Sequence, residues 1–270
     1  MRRSIACSTL SLRLLRASEF LTVQFSDQRA LITGGASGIG AEIARRLVAE
    51  NASVLIADIN DDLGKRTAAE LGAQYVHLDV TDPRAWDALI ADEEPFDIVC
   101  LNAGVSTYQH VVGGEIQNHP FERLTDELYE RIMSINVNGV VYGARAVIPS
   151  MVARKSGHIL VTASMAGIVA IPPDPIYGLT KHGMVGLVKS LGPALEPHGV
   201  CVSALCPGFA DTPLVSDLAK EFAKQFSIGV MDVSEVGEMA MRALTERVPG
   251  SQWVVMQDHP ITQYVPAPLY

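Results

Sequence analysis

A glycine-rich turn between a short apolar segment and an amphipathic segment limits the folds open to this chain more than any other feature. Residues 29–33 are typical of a strand, residues 34–40 carry four glycines, and residues 41–50 place apolar side chains at helical spacing. In a strand–turn–helix unit, glycines let the backbone approach a pyrophosphate, and the N-terminus of the helix faces its negative charge. The spacing Gly-x-x-x-Gly-x-Gly is not specific on its own, but its place between strand and helix predicts a dinucleotide-binding unit.

Short apolar strands alternate with helix-length segments along the rest of the chain. The predicted strands cover residues 53–57, 75–78, 97–101, 158–162, 200–205 and 253–256. The predicted helices cover residues 61–71, 83–91, 125–143 and 177–195. Because strands separated by helices imply right-handed crossovers, this order predicts an α/β fold with a parallel sheet.

Three polar residues follow predicted strands, at the edge of the sheet where such folds bind ligands. They are Asp58, Asp79 and Asn102. Asp58 stands about 20 residues past the glycine turn, where a carboxylate accepts hydrogen bonds from an adenosine ribose and repels a 2′-phosphate. No Arg or Lys follows it directly. The sequence therefore favours NAD over NADP as the cofactor, with an ordinary loop carboxylate as the alternative interpretation.

Composition excludes several classes of protein. Of the 270 residues, 48% are hydrophobic and 19% charged, and the mean hydropathy is +0.21, so the chain is suited to burying a core. The apolar runs are strand-sized, which predicts a soluble protein without a membrane span. The net charge of −9 argues against a broad contact with nucleic acid. The four cysteines and seven histidines show no metal-ligand spacing, so we expect buried thiols in a reducing compartment and no metal site.

Residues 1–26 differ from the rest of the chain and do not enter the prediction of the fold. They carry four arginines and no acidic residue before Glu19, and Arg13 and Arg16 interrupt their leucines, unlike a secretory signal. A mitochondrial transit peptide, a flexible extension and a start codon assigned too early all fit this composition. Residues 27–270 are predicted to form one domain. The expected location is the cytoplasm, or the mitochondrial matrix if the leader is a transit peptide.

Tyr177 and Lys181 are four residues apart in a predicted helix, so their side chains lie on the same face. An ammonium group beside a phenol favours the phenolate, which makes a general base from a weak acid. The same spacing also arises by chance on solvated helix faces. Ser164 follows the strand 158–162 at the ligand edge. Asn136 lies inside a predicted helix, where a poor helix former indicates a hydrogen-bonding task or a local bend, with an exposed asparagine as the alternative.

Taken together, these motifs resemble the short-chain dehydrogenase/reductase family over residues 28–256. The similarity rests on motifs in the family's order: Thr33-Gly34-x-x-x-Gly38-x-Gly40, Asp58, Asp79-Val80, Asn102-Ala103-Gly104, Asn136, Ser164, Tyr177-x-x-x-Lys181, Pro207-Gly208 and Thr212. The resemblance implies a doubly wound Rossmann fold with a seven-stranded parallel sheet flanked by helices. It also implies hydride transfer between a nicotinamide cofactor and a secondary alcohol or its ketone, without a metal.

The resemblance assigns roles to individual residues. It implies a catalytic tetrad of Asn136, Ser164, Tyr177 and Lys181, with Tyr177 as general acid and base. Ser164 would hydrogen-bond the reacting oxygen, Lys181 would lower the tyrosine pKa and bind the nicotinamide ribose, and Asn136 would hold a relay water. The implied cofactor contacts are Gly34, Ser37, Gly38, Ile39, Gly40, Asp58, Asp79, Val80, Asn102, Ala103, Gly104, Tyr177, Lys181, Pro207, Gly208 and Thr212.

The chain departs from the family pattern in ways that concern the substrate. Leu101 stands where the family has a second asparagine, and the stretch between Gly104 and Asn136 is longer than usual. Residues 168–171 are apolar, which predicts a hydrophobic alcohol or ketone such as a steroid, a terpenoid, a hydroxy fatty acid or an aliphatic alcohol. Residues 105–124 are expected to form a surface loop and residues 213–226 a mobile lid.

Other functions and assemblies stay open on the sequence. One alternative is an NADPH-dependent carbonyl reductase, against which Asp58 argues. Another is a non-catalytic, dinucleotide-binding regulatory protein, against which the intact tetrad argues. The resemblance also implies a homotetramer or homodimer built through the helix that carries the tyrosine. That helix has apolar residues which fit either such a contact or burial against the protein's own sheet: Met184, Val185, Leu187 and Val188.

Overall fold

The computed structural model describes residues 25–107, 120–215, 217–225 and 229–265. Residues 1–24 of the predicted leader lie outside these ranges. Residues 108–119 of the predicted surface loop, which include His110 and His119, also lie outside them. Parts of the predicted lid, residues 216 and 226, are also outside them. None of the described helices combines the length and the apolar character that crossing a membrane needs.

Most of the strands form one sheet that is parallel except at one edge. The described strands are β1 (Arg29–Thr33), β2 (Ser53–Asp58), β3 (Gln74–His77), β4 (Ile98–Leu101), β5 (Gly157–Thr162), β6 (Val200–Pro207), β7 (Phe209–Ala210), β8 (Val230–Met231), β9 (Gln252–Val255) and β10 (Thr262–Gln263). The main sheet has the order β10-β9-β6-β5-β4-β1-β2-β3, and β7 pairs with β8 separately. The seven parallel strands confirm the predicted fold class.

The antiparallel edge strand β10 is an element that the sequence analysis did not predict. It pairs with β9, and Thr262 lies opposite Val254. Between the two strands the chain reverses in a short turn, in which Asp258 has φ +61°. A short reversal returns the chain antiparallel, whereas a parallel neighbour needs a long crossover. The sheet therefore gains an eighth strand at its β9 edge.

Helices cover both faces of the sheet. They are α1 (Gly38–Ala49), α2 (Asp61–Leu71), α3 (Pro83–Asp92), α4 (Asp126–Met133), α5 (Gly139–Arg154), α6 (Pro175–Leu195), α7 (Asp217–Gln225) and α8 (Val233–Glu246). On one face, α3, α5 and α6 bury Trp86, Val147 and Val188. On the other face, α1 and α8 bury Leu47 and Met239. The fold is thus doubly wound, and the direction of winding changes between β1 and β4, where such folds bind ligands.

Residues 126–154 form one helical stretch that is interrupted by a π-helical turn, Ser134–Asn138. The predicted helix over residues 125–143 is confirmed in type but is too short, because helix α5 continues through Pro149 to Arg154. A π-turn widens a helix locally and often marks a functional site. Asn136 lies at the centre of the turn and is 1% exposed. The asparagine therefore marks a local irregularity of the helix, as its poor helix propensity indicates.

The apolar residues of α6 pack inside the protein. Met184, Val185 and Val188 are buried in the core against the sheet, and Leu187 packs beside them. Because they cover the protein's own sheet, these side chains do not support a subunit contact, and the oligomeric state stays a prediction. The buried free thiols Cys100, Cys201 and Cys206 likewise belong to the core.

Candidate active site

A cavity of about 1220 Å³ opens at the carboxyl ends of the strands, around the point where the winding changes direction. It exceeds the roughly 300–1,000 Å³ of an ordinary small-molecule pocket, so it has room for a dinucleotide and a second ligand. The predicted site residues that line it are Gly34, Ser37, Gly38, Ile39, Asp58, Asp79, Val80, Asn102, Ala103, Gly104, Ser164, Tyr177, Lys181, Pro207, Gly208 and Thr212. Gly40 and Asn136 are predicted site residues that do not line it.

The turn after β1 brings backbone N–H groups to the cavity. Ser37 is the N-cap of α1 but its side chain makes no capping hydrogen bond, so the first N–H groups of the helix lack a side-chain acceptor. Gly34 has φ +62°, and a Cβ there would lie 2.9 Å from the Cα of Ala103. Glycine is therefore required where the turn meets the residues after β4, and the turn presents backbone donors to an anion.

Gly40 is closely packed beneath the glycine turn. Any side chain at Gly40 would collide with the carbonyl oxygen of Gly34 and lie 2.7 Å from the side-chain amide of Asn102. The residue is buried in the first turn of α1 and lets the helix pack against the glycine turn. It supports the glycine turn and does not line the cavity, and its predicted contact with the cofactor stays a prediction.

Asp58 is held rigidly at the end of β2. One carboxylate oxygen accepts a hydrogen bond from the N–H of Ala36 at 3.1 Å, and the other accepts one from the N–H of Asn60 at 3.0 Å. These bonds link the carboxylate to the glycine turn and point it at the cavity. Ile59, the next residue, is exposed. The position suits a carboxylate that accepts hydrogen bonds from a ribose diol.

Asn102 ties three strand ends together at the base of the cavity. Its side-chain amide donates to the carbonyl oxygens of Thr33 at 3.1 Å and Gly34 at 3.2 Å. Its side-chain oxygen accepts a hydrogen bond from the Thr162 hydroxyl at 2.9 Å. The asparagine therefore holds the ends of β1, β4 and β5 in register beneath the ligand.

Tyr177 and Lys181 lie side by side on α6, as their spacing predicts. The ammonium nitrogen of Lys181 is 5.4 Å from the centroid of the Tyr177 ring. It donates a hydrogen bond to the carbonyl oxygen of Thr162 at 2.8 Å. The Ser164 hydroxyl is hydrogen-bonded to the Tyr177 phenol. The structure thus brings three of the four predicted catalytic side chains together at the cavity wall.

Burial dominates the acid–base properties of this pair. It raises the pKa of Tyr177 to about 12, although the hydrogen bond with Ser164 acts in the opposite direction. It lowers the pKa of Lys181 to about 8. The expected lowering of the tyrosine pKa by Lys181 is therefore not found in the protein alone, where the loss of hydration on burial is the largest influence on the phenol. Tyr177 is a proton donor at neutral pH.

Asn136 is the fourth predicted catalytic residue, and its side chain forms hydrogen bonds with backbone groups. Its side-chain oxygen accepts from the N–H of Val105, and its amide donates to the Val105 carbonyl, both at 2.8 Å. The amide also donates to the Thr180 hydroxyl at 3.2 Å. Asn136 therefore connects the segment after β4 to α6, and its predicted role in holding a relay water stays a prediction.

Asp174 is a cavity residue that the sequence analysis missed. Helix α6 begins at Pro175, before the predicted start at Tyr177, and Asp174 is its N-cap. The Asp174 carboxylate accepts a hydrogen bond from the N–H of Tyr177 at 3.1 Å, and the residue is 4% exposed. An Asp followed by Pro just before a helix is a known start signal, which could have found it.

The part of the cavity beside Tyr177 has an apolar wall. One side is formed by residues 169–173, which include Val169, Ala170 and Ile171. The other side includes Leu214 and Val215, from the start of the predicted lid. Since the polar groups lie towards β1, β2 and β4, the cavity has a polar end that suits a dinucleotide and an apolar end that suits a hydrophobic ligand.

The residues present fit a nicotinamide dinucleotide. The glycine turn with the N-terminus of α1 would hold the pyrophosphate, Asp58 the adenosine ribose, and Lys181 the ribose next to the reacting ring. Within the described ranges, no three His, Cys, Asp or Glu side chains gather as metal ligands would.

Comparison with known proteins points to one family. Residues 28–223 match the family model described as short chain dehydrogenase. The chain is 36% identical over 206 residues to the 3-alpha-(or 20-beta)-hydroxysteroid dehydrogenase of Mycobacterium bovis, covering 74% of this chain and 75% of that protein. It is 34% identical over 200 residues to the 2-dehydro-3-deoxy-L-rhamnonate dehydrogenase (NAD(+)) of a Sphingomonas species, covering 72% and 77%.

A solved structure gives the same picture. The crystal structure of a 3-oxoacyl-[acyl-carrier protein] reductase with bound NAD from Brucella melitensis superposes with a TM-score of 0.75. Its sequence is 30% identical, and the match covers 86% of this chain and 90% of that chain.

Proposed function

The chain belongs to the short-chain dehydrogenase family and is an oxidoreductase acting on CH–OH groups; on this premise we propose that it interconverts a hydrophobic secondary alcohol and its ketone with NAD. The observation that carries the proposal is the position of the Tyr177 phenol. It lies at the cavity wall, hydrogen-bonded to Ser164 and one helical turn from the Lys181 ammonium. A proton donor and acceptor thus faces the space between the polar and apolar ends of the cavity.

The residues account for the proton in the reaction. Oxidation takes a proton from the hydroxyl group and a hydride from the carbinol carbon, and leaves the ketone. When bound, the oxidised nicotinamide supplies the hydride acceptor. Tyr177 accepts the hydroxyl proton, and in the reverse direction it returns that proton to the carbonyl oxygen. Ser164 hydrogen-bonds the same oxygen while its charge changes.

Lys181 is placed to support this proton transfer. The Thr162 carbonyl holds its ammonium group at the cavity wall beside the tyrosine ring. A positive charge there, together with that of an oxidised nicotinamide, favours the phenolate that alcohol oxidation needs. Asn136 fixes the position of the segment after β4 against the same helix.

Asp58 supports NAD as the cofactor. The carboxylate is fixed by two backbone N–H groups at the end of β2, and among the described residues it forms no ion pair. A 2′-phosphate would face this uncompensated negative charge, whereas a ribose diol would donate hydrogen bonds to it. Cofactor preference is therefore expected to depend on this one side chain.

The apolar wall supports a hydrophobic substrate. Val169, Ile171, Leu214 and Val215 offer surface that an extended hydrocarbon would cover and that a sugar acid would leave unused. Among the similar proteins, the hydroxysteroid dehydrogenase acts by its name on an apolar ring system and the rhamnonate dehydrogenase on a sugar acid. The lining favours the first kind of substrate.

Cofactor binding and turnover test the proposal separately. Purified protein is titrated with NADH and NADPH, followed by nicotinamide fluorescence, and then assayed with steroid, terpenoid, hydroxy-fatty-acid and aliphatic secondary alcohols. We expect NADH to bind at least about tenfold more tightly, and Asp58→Ala to narrow that difference. Asp62→Ala, an exposed acid in the same region, is the matched control.

Other outcomes would select another function. Tighter binding of NADPH would replace the proposal by an NADPH-dependent carbonyl reductase. Normal NADH binding without turnover of any alcohol or ketone would favour a non-catalytic, dinucleotide-binding protein.

The raised pKa of Tyr177 adds a pH test. Alcohol oxidation needs the phenolate, so kcat/KM for oxidation is expected to rise steadily from pH 7 to pH 10. Ketone reduction needs the phenol, which stays protonated below its pKa of about 12, so kcat/KM for reduction is expected to stay level over this pH range. Parallel pH profiles for the two directions would contradict Tyr177 as the acid and base.

A further inference from the structure

The proposed mechanism assigns no role to the buried carboxylate of Asp174. It is 4% exposed at the N-terminus of α6, and it lines the cavity. Among the described residues it forms no ion pair with Lys, Arg or His. A buried acid without a cation costs free energy, so a fold that retains one at a site wall indicates a specific task.

The two oxygens of Asp174 bind two different segments of the chain. One accepts a hydrogen bond from the N–H of Tyr177 at 3.1 Å, which caps the helix. The other accepts one from the N–H of Thr107 at 3.2 Å, and the Thr107 side chain also bonds to this carboxylate. Residues 105–107 are thus held at two points, by Asn136 at Val105 and by Asp174 at Thr107.

The Asp174 carboxylate, which caps the helix at the Tyr177 N–H, also affects the ionisation of the phenol. Its negative charge raises the pKa of the Tyr177 phenol, in addition to burial. Lys181 lies beside the phenol ring on the same helix, Arg131 of α4 lines the same cavity, and Cys206 of β6 interacts with Lys181. Asp174 is the acidic group among them.

We propose that Asp174 is a positioning residue that clamps the segment after β4 to the helix carrying Tyr177. This inference rests on the proposed function, because it concerns the same proton transfer. The clamp fixes the wall that faces the reacting oxygen.

Hydrogen exchange tests the clamp without any turnover. In Asp174→Asn, the side-chain oxygen still caps the helix, since Asn is as good an N-cap as Asp, but the NH₂ group cannot accept from Thr107. We expect the Thr107 amide to exchange at least about tenfold faster and the Tyr177 amide to change less than about threefold. An unchanged Thr107 amide would overturn the clamp.

The pH profile tests the charge. For alcohol oxidation, we expect the rise of kcat/KM in Asp174→Asn to move to lower pH by roughly half a unit to one unit, because the opposing charge is gone. Asp174→Ser keeps a capping oxygen in a smaller side chain and should show the same shift, which covers the case in which the asparagine variant fails to fold. A profile that superposes on the wild type would refute the electrostatic role.

A matched control separates positioning from helix capping. Asp82 caps α3 and is also followed by a proline at the first helical position, but it lies at the exposed start of that helix. Asp82→Asn is expected to leave the pH profile unchanged. If the wild-type protein turns over no substrate with either cofactor, the proposed function fails, and the exchange of the Thr107 amide still decides the clamp.

Discussion

The two ends of the sheet both bury ionisable groups, and those at the carboxyl end line a large cavity. At the carboxyl end, Tyr177 and Lys181 face a cavity. At the amino end, His158 in β5 is fully buried, and its Nε2 hydrogen-bonds the Ser203 hydroxyl at 2.8 Å. Burial lowers the pKa of His158 to about 3, with Arg247 adding to the effect. Shifted acid–base properties follow from burial alone, and function needs access to a ligand as well.

The largest effect is expected at the carboxyl end. Tyr177→Phe removes the hydroxyl group and should lower kcat for alcohol oxidation by about 10³-fold, or about 4 kcal/mol in activation free energy. NADH affinity and thermal stability should stay close to wild type, because the ring remains in place. Initial rates at saturating cofactor measure the loss. If Tyr177→Phe kept a tenth or more of the wild-type activity, the carboxyl end would no longer differ from the amino end in its importance for turnover.

A glycine at the amino end should affect stability without affecting activity. Gly199 has φ +75°, and a Cβ there would collide with the carbonyl oxygen of Lys155. We expect Gly199→Ala to lower the free energy of unfolding by about 3 kcal/mol, from backbone strain and the forced displacement of Lys155. Urea denaturation gives the value.

Gly72→Ala is the matched control for this substitution. Gly72 has φ +73° with open space around it, so only the backbone term applies, about 1 kcal/mol. Equal losses in the two variants would show that the contact with Lys155 relaxes freely. Unchanged kcat in both would confirm that this end supports the fold only.

The buried His158 side chain is expected to make the folded protein less stable at acidic pH. Its folded-state pKa of about 3 lies below the ordinary value of 6.5, so the unfolded state binds the extra proton in this range. Stability from His158 is therefore complete above about pH 6.5 and falls by about 1.4 kcal/mol per pH unit below it, or about 2 kcal/mol at pH 5. Between pH 8 and pH 5, the free energy of unfolding measured with urea should fall by about 2 kcal/mol more in the wild type than in His158→Gln. An equal fall in the two proteins would show that the histidine is hydrated in the folded state.

An effect on reactivity alone is expected for the thiols at both ends of β6. Burial raises the pKa of Cys201 to about 11 and that of Cys206 to about 12. Because the thiolate is the reactive form, both should be alkylated at pH 8 at least about a hundredfold more slowly than in the unfolded chain. Peptide mapping after iodoacetamide treatment measures this, and rapid labelling of Cys206 would reveal access through the cavity.

The sequence predicts the position of the polar residues of the site well because the signals for them are local. The turn at Gly34, the acid Asp58 and the Tyr177–Lys181 pair each follow from strand, turn or helix spacing. These short patterns fix which edge of the sheet a residue reaches, and the structure confirms that edge for each of them.

What the sequence does not predict depends on side-chain partners far along the chain. Gly40 and Asn136 match the motifs but contact other protein groups and not the cavity. Asp174 matters through Thr107, 67 residues away. The balance between burial and charge at Tyr177 likewise needs the packed structure, since the spacing to Lys181 gives only the sign of one contribution.

The π-turn at residues 134–138 bears on how this chain tolerates insertions and deletions. A π-turn is one residue longer than the α-helical turn it replaces, and each residue turns an α-helix by about 100°. Deleting one residue there would restore a regular helix but rotate α4 against α5 by about a quarter turn. Asn136 would then lose its hydrogen bonds with Val105, while the apolar face of α5 stayed packed on the sheet. Alignment gaps at this point should therefore be rare among active homologues and common in the surface turns.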